Sequence, residues 1–321
     1  MRVPRVVQSP QEVAMTTSLS RRRRARRVFR PVVGVVAATL AVVLAGCGTE
    51  DGGGATPEPT TATSQPPSEG PTASPASPSA EPSEPAEPTV SGVYFMADTR
   101  NGLRLTREMR DLAGEDPGRE AVEAMISGPE DPDYVTPWNP DTEVLGVSRE
   151  AEAITVDLSE DARTANIGSE GAALMIQQLV HTVSEAVDEQ VPVELLIEGE
   201  PAGELWGVVS WEEPVGREDP MSVRSLVQID SPGEGDTVSS PVTVTGEAAA
   251  FEANVPWRVL DDSGAEVEAG FTMTSEGQTF APFSFEVELE PGTYIVEISE
   301  DDPSGGEGGT PTTDTRTVTV E

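Results

Sequence analysis

Glu170-Gly171-Ala172-Ala173-Leu174-Met175-Ile176-Gln177-Gln178-Leu179-Val180-His181-Thr182-Val183-Ser184-Glu185-Ala186-Val187 decides how the first folded part of this chain is built. Ala172, Ile176, Leu179, Val180, Val183 and Val187 fall within about a 100° stripe when successive residues are set about 100° apart, which predicts an amphipathic helix with one core-facing side. On the same wheel His181 lies about 140° from Ile176, beside Gln178 and Glu185, so it is expected to face solvent.

Strand patterns flank that helix. Gly92–Ala97 and Leu103–Thr106 read as two strands around an Asn101-Gly102 turn. A short helix over Glu120–Ser127 is stopped by Gly128-Pro129. After a Pro-rich loop come Thr142–Val147 and the alternating run Ala153–Leu158; beyond the long helix, Pro192–Ile197 reads as a buried strand and Glu204–Val209 as an edge strand. The order β-β-α-β-β-α-β predicts an α+β or α/β sandwich with its helices on one face. From Val223 onward only strands follow: Val223–Ile229, Val242–Thr245, Val255–Leu260, Val267–Met273, Phe283–Leu289, Thr293–Ile298 and Thr315–Val320. This is the strand count of an immunoglobulin-like sandwich. With one Cys in the chain, its core must hold by packing alone.

The 321 residues carry 20 Lys+Arg against 57 Asp+Glu, a net charge of −37, and every cation is Arg. Residues 1–46 hold nine Arg and a single acid, so the rest of the chain has 56 acids against 11 Arg. Such a body is repelled by phosphate backbones, which excludes nucleic acid as a partner. One Cys and one His exclude a disulfide framework and Cys/His zinc sites.

The N-terminus has the three parts of an export signal: the basic block Arg21–Arg30, the apolar run Val32–Leu44, and Leu44-Ala45-Gly46-Cys47. About 13 apolar residues are too few to cross a bilayer, which takes about 20. Leu44-Ala45-Gly46-Cys47 resembles the lipobox of bacterial lipoproteins. That resemblance implies cleavage between Gly46 and Cys47 and acylation of Cys47, as with palmitate, and hence a lipid anchor in the cytoplasmic membrane on its extracytoplasmic face; two acyl chains give stable attachment. Arg26-Arg27-Val28-Phe29 leaves the export route open between general and twin-Arg secretion, and Met15 is an alternative start. Ala55–Thr89 holds 10 Pro in 35 residues and no aromatic or branched aliphatic side chain, so it is expected to be a disordered tether. It reaches on the order of 100 Å as polyproline II, or roughly 35 Å as coil.

Val93-Tyr94-Phe95, Glu120–Met125 ending in Ser127-Gly128-Pro129, Thr155–Ser159, Gln178–Val183, and Val191-Pro192-Val193 with Ile197-Glu198-Gly199 together resemble the sporulation and germination domain called GerMN. Trp138-Asn139-Pro140-Asp141-Thr142 departs from the family's Leu-Pro-x-Gly-Thr-like turn, a local loop change. Asp230-Ser231-Pro232, Val238, Ser240-Pro241, Val244-Thr245-Gly246, Phe251–Val255, Asp262-x-Gly264 and Pro282-Phe283-Ser284 resemble the immunoglobulin-like domain of bacterial spore germination. The expected organisation is a signal peptide over 1–46, a tether over 47–90, a GerMN-like α/β (α+β) module over 91–213, a linker over 214–222, and an all-β immunoglobulin-like sandwich over 223–321. The resemblance implies a role in envelope assembly or binding, or in a sporulation- or germination-like process, with no established catalytic residues to carry over.

The remaining candidates for chemistry are few. No G-x-S-x-G accompanies His181, so a Ser-His-Asp site is unsupported. Carboxylate pairs are unavoidable among 56 acids and therefore single out no glycan-hydrolase site. Asp157-Leu158-Ser159-Glu160-Asp161 begins like a calcium loop, but Ala162 stands where such a loop needs Gly and Gly168 where it needs Glu. Asp261-Asp262 and Glu300-Asp301-Asp302 read as charged turns. Trp206, Trp211 and Trp257 read as packing residues. Phe251, Glu252 and Asn254 form a polar-aromatic corner between strands, and a binding role is weighed equally with a structural one. The expectation is a non-enzymatic surface lipoprotein, without metal or cofactor, that binds peptidoglycan or an envelope protein through loops and an exposed sheet edge. The alternatives are a cell-wall glycan hydrolase and a substrate-capturing transporter subunit.

Overall fold

The computed structural model describes residues 89–150, 152–302, 307 and 309–321, all within one compact unit. Gly46, Cys47 and the expected tether up to residue 88 lie outside the described residues, while Thr89 and Val90, expected to end the tether, begin the first strand. The fold has two modules: an α/β one and an all-β sandwich.

The first module opens on a hairpin. Strands β1 (Thr89–Thr99) and β2 (Gly102–Leu112) pair antiparallel from Thr89 opposite Leu112 to Thr99 opposite Gly102, with the turn at Asn101-Gly102 as predicted. β1 is buried on both faces from Ser91 to Met96, which is why Val93-Tyr94-Phe95-Met96 is a continuous apolar run instead of an alternating one. Helix α1 (Pro117–Ser127) starts on Asp116, whose carboxylate accepts the Arg119 N–H at 3.0 Å, and stops where Gly128 turns to φ 106°. Strands β3 (Val144–Arg149) and β4 (Ile154–Leu158) are antiparallel; helix α2 (Ser169–Ala186) then crosses over to β5 (Val193–Ile197), parallel to β4, and β6 (Glu200–Pro201) closes the order β3-β4-β5-β6.

Three expectations need correction here. Glu204–Val209 is not one edge strand but the hairpin β7 (Gly203–Leu205) and β8 (Val209–Trp211), because Trp206 and Gly207 both take positive φ, 53° and 68°. Val223–Ile229 does not start as a strand: Asp219 caps a short helix α3 (Pro220–Val223), its carboxylate accepting the Met221 N–H at 3.0 Å, and the strand begins at Val227. His181 does not face solvent; it is 1 % exposed.

The reason for the last is that α2 is buried all round from Leu174 to Ser184. Its apolar stripe joins the core shared by β1, α1, β4 and β5. Its polar stripe is covered as well; hydrogen bonds accommodate most of the polar groups there, while both ring nitrogens of His181 and Gln178 Oε1 are buried without a partner. Gln178 donates to Tyr94 O at 2.9 Å, the Tyr94 N–H donates to Thr182 Oγ1 at 3.0 Å, and Gln177 donates to Gly216 O at 3.2 Å while accepting from Glu218 N at 2.9 Å. Arg217 donates to His181 O at 2.8 Å. Residues 214–222, expected as a linker, are therefore laid along α2, and Val215 exchanges two backbone hydrogen bonds with Val193, each 2.8 Å.

The second module comprises β9 (Val227–Ser231), β10 (Thr237–Val238), β11 (Val242–Ala248), β12 (Asn254–Asp261), β13 (Glu266–Met273), β14 (Ala281–Val287), β15 (Gly292–Ser299) and β16 (Thr313–Val320). They form a three-stranded sheet, β14-β11-β9, facing a five-stranded one, β10-β16-β15-β12-β13. Between them lies a core of Val227, Ile229, Val244, Val255, Val259, Phe283, Val296, Ile298, Val318 and their neighbours, the alternate residues of each strand. At Gly246, where β11 shifts register against β9, a Cβ would come within 2.1 Å of Gln228 O; only glycine fits.

Candidate functional site

β16 reads Thr313-Asp314-Thr315-Arg316-Thr317-Val318-Thr319-Val320, and alternation sends Asp314 and Arg316 to the same face as the core valines. A buried guanidinium needs compensating charge, and the first module supplies part of it. Arg316 Nη1 meets Asp131 at 2.7 Å, Tyr134 Oη at 2.9 Å and Asp314 at 3.1 Å, while Nη2 donates to Ile229 O at 2.9 Å. The Tyr134 hydroxyl donates to Asp314, whose other oxygen accepts the Ile229 N–H at 2.6 Å. Thr315 Oγ1 also bonds Asp133 across the junction, at 3.1 Å.

A second cluster stands at the hairpin. Arg107 of β2 forks onto Asp230 of the sandwich, Nε at 2.9 Å and Nη2 at 2.8 Å, and bonds Glu185 of α2 at 3.0 Å. Glu185 also accepts the Tyr94 hydroxyl at 2.7 Å. Glu247 accepts from Arg224 at 2.8 Å, and Arg224 lies over the rings of Phe280 (4.2 Å) and Tyr94 (5.8 Å). Backbone joins the modules as well: Ser225 N donates to Leu105 O at 2.7 Å. Arg100 pairs with Glu300 at 2.5 Å.

The electrostatics follow from burial. Burial disfavours the charge on Arg107 and Arg316, but Asp230 in one case and Asp314 in the other override it and hold both guanidinium groups firmly charged. Burial pushes Asp131 up to about 6, against the pull of the Asp133 N–H and Arg316. Tyr134 is raised well above its ordinary value by burial and by Asp314. His181 is driven down to about 3 by burial and by the Arg217 and Arg224 charges, so it is a neutral ring packed edge-on against Tyr94 at 5.1 Å. Burial raises Glu247, yet Arg107 and Arg224 bring it below the usual carboxylate range.

Between the modules runs a polar cleft of about 850 Å³ whose walls include Asp111, Glu120, Glu123, Glu130 and Asp236, with Arg110 the one basic group. No three His, Cys, Asp or Glu side chains among the described residues are grouped to hold a metal. Asp157 accepts the Gly199 N–H at 3.0 Å and so pins the turn after β5. Asp261 closes its own turn, accepting from Ser263 N at 2.9 Å, Ser263 Oγ at 2.6 Å and Ala265 N at 2.9 Å, bonds that lower its pKa. Trp211 is buried, Trp206 meets Trp138 edge-on at 5.5 Å, and Trp257 stacks flat on Phe285 at 4.6 Å.

Phe251, Glu252 and Asn254 lie on a turn of 3₁₀ helix over Phe251–Ala253 and the first residue of β12. Glu252 and Ala253 take φ of 51° and 63°, and the turn is stitched to the next loop by Thr274 N to Ala253 O and Gln278 N to Ala250 O, both 2.9 Å. Phe251 projects, 45 % exposed, and Asn254 stands opposite Met273 of β13. The corner is thus both a folded structural turn and an exposed aromatic step next to an edge strand. Of the junction residues, the sequence marks only Asp230, as part of the Asp230-Ser231-Pro232 motif, and not Arg107, Asp131, Tyr134, Asp314 or Arg316. The available signal was the charged pair Asp314 and Arg316 in the apolar phase of β16.

Residues 92–203 match the family model described as "Sporulation and spore germination", and residues 226–307 match "Immunoglobulin-like domain of bacterial spore germination". No curated protein matches the chain. Among solved structures, the tandem GerMN domains of the sporulation protein GerM from Bacillus subtilis are 18 % identical with a TM-score of 0.36, over 44 % of this chain and 50 % of that one. This chain therefore spans half the length of that tandem structure. The first GerMN domain of the same protein is 18 % identical with a TM-score of 0.33, over 41 % of this chain and 99 % of that one. CopC from Methylosinus trichosporium OB3b is 18 % identical with a TM-score of 0.23, over 30 % and 93 %.

Proposed function

We propose that this chain, which matches the sporulation and spore germination family over residues 92–203 and the immunoglobulin-like domain of bacterial spore germination over residues 226–307, is a non-enzymatic surface lipoprotein whose two modules act as one receptor for an envelope protein. Cys47 carries the lipid that anchors it to the extracytoplasmic face of the cell membrane, and the Pro-rich segment holds the modules away from the bilayer. The single observation that carries the receptor reading is the junction: Arg316 with Asp131, and Arg107 with Asp230, fix both modules in one orientation. Modules held this way present a single composite surface. The acidity of the chain disfavours anionic wall polymers as ligands, since like charges meet on approach.

The test is crosslinking in the native host from photoreactive residues placed at Phe251 on the second module and at Val135, an exposed residue of the first. Both positions are expected to capture the same envelope protein, and capture is expected to fail in a Cys47→Ser variant released from the membrane. Peptidoglycan fragments captured in place of protein, release of muropeptides by the purified chain, or a Cys47→Ser variant that stays in the membrane would each overturn the reading.

A further inference from the structure

The sandwich leaves one strand unusually bare. β13 is the terminal strand of the five-stranded sheet; among the described residues it is laddered to β12 alone, and it meets β14 of the facing sheet through Thr272 Oγ1, which donates to Ser284 O at 2.8 Å. Ala269, Phe271 and Met273 share one face of it, opposite Arg258, Pro256 and Asn254 of β12. Phe271 is 69 % and Met273 53 % exposed. The other face does not need them: Trp257, stacked on Phe285, lies over Gly270, where a Cβ would come within 2.6 Å of the indole. The sandwich core draws no residue from β13. The strand thus spends its apolar side chains on solvent.

Its other end has the opposite character. A register shift between Val259 and Leu260 sets Glu268 opposite Val259 and Glu266 opposite Leu260, so carboxylates stand on both faces, and Val267, 45 % exposed, lies between them. Arg258, the nearest cation, is already held by Glu297 at 2.7 and 3.0 Å. Inboard of the strand, over β12, lies a depression of about 440 Å³ bounded by Pro256, Arg258, Glu266, Ala269, Glu297 and Pro311. The bulge and its carboxylates blunt that end of the edge, while the apolar end carries no charge.

We propose that β13 is a docking strand for an extended segment of a partner protein, with apolar side chains at alternate positions toward one end of that segment and Arg or Lys toward the other. The proposal rests on the receptor reading above and names the chemistry of the partner. Main-chain hydrogen bonds would add the segment as a sixth strand, its apolar residues beside Phe271 and Met273 and its cations beside Glu266 and Glu268. A second copy of this chain fits less well: an antiparallel pair of such edges would set Glu266 and Glu268 of each copy beside Met273 and Phe271 of the other, so neither copy would supply a cation to the carboxylates. The chain's own residues 55–89 fit poorly too, having ten Pro, no branched aliphatic or aromatic side chain and no Arg.

The test pans a display library of random nonapeptides on the full chain in detergent, with counter-selection on a Phe271→Glu/Met273→Glu variant. Enriched peptides are expected to alternate apolar residues and to end in Arg or Lys. A synthetic copy should bind the unaltered chain at least tenfold more tightly than either that variant or Glu266→Lys/Glu268→Lys, and should slow amide exchange over residues 266–273. All of these substitutions are at exposed positions, and equal melting temperatures confirm that the variants fold. No enrichment over the variant, enrichment of peptides without cations, equal binding to all three proteins, or a dimer that the double variant dissolves would overturn the proposal. Crosslinks from Phe251 and Val135 would survive any of these failures, which separates this proposal from the receptor reading.

Discussion

Arg316 and Asp131 lie 2.7 Å apart, each 2 % exposed, although 185 residues separate them and they belong to different modules. A charge pair so deeply buried is a weak source of net stability, but an unpaired member is costly. Replacing Arg316 with Met leaves the Asp131 and Asp314 carboxylates buried without their cation. The expected loss is about 3–5 kcal/mol of unfolding free energy, read from the urea midpoint, together with faster proteolysis of residues 214–226. A loss below about 1 kcal/mol would place the pair among energetically neutral contacts.

Asp131 also predicts a pH dependence. Its carboxyl is raised from 3.8 to about 6 in the folded protein, chiefly by burial. The folded state thus holds this proton more tightly than the unfolded chain, and the contribution of the site to stability falls as pH rises from about 4 through 6. An Asp131→Asn variant should lose that slope, which denaturation curves at pH 4, 5, 6 and 7 would reveal.

His181 works in the opposite sense. Its ring is lowered from 6.5 to about 3, so the unfolded chain takes up a proton where the folded one does not. Stability from this site is complete above pH 6.5 and is lost as pH falls toward 3. At about 1.4 kcal/mol per pKa unit, moving from pH 7 to pH 4 removes on the order of 3 kcal/mol. His181→Phe should flatten the acid limb of the stability profile; an unchanged limb would mean that other groups govern acid unfolding.

Gly270 is expected to tolerate no side chain larger than hydrogen. Gly270→Val pushes against the Trp257 indole, which is stacked on Phe285, and should cost about 1–3 kcal/mol of stability. The accompanying signature is a red-shifted tryptophan emission as the ring is displaced, and an unaltered spectrum would argue that the strand moves instead.

The parts of this fold that were legible in sequence are those governed by local rules. The α2 stripe, the Asn101-Gly102 turn, the Gly128 stop and most sandwich strands follow from periodicity and turn chemistry within a few residues. What was not legible depends on what arrives from elsewhere. His181 seemed solvent-facing because a helical wheel assumes one core-facing side, whereas residues 214–222 return to cover the other. The Glu204–Val209 run hid a hairpin, since Trp206 is an unusual residue for a positive φ. Phe251, Glu252 and Asn254 were recognisable as a corner, but the bareness of Phe271 beside them was not, because Val267–Met273 looks like any half-buried strand until Trp257 is seen to occupy its inner face.

The far side of the five-stranded sheet is finished differently. β10 lies parallel against β16, Gly235 N donates to Thr317 O and Thr319 N to Asp236 O, both at 2.8 Å, and Glu234 takes the Thr317 N–H at 2.7 Å. β10 contributes only two residues at that border, whereas β13 is eight residues long. Of the two borders of this sheet, the one at β13 therefore offers an incoming chain the longer run of backbone.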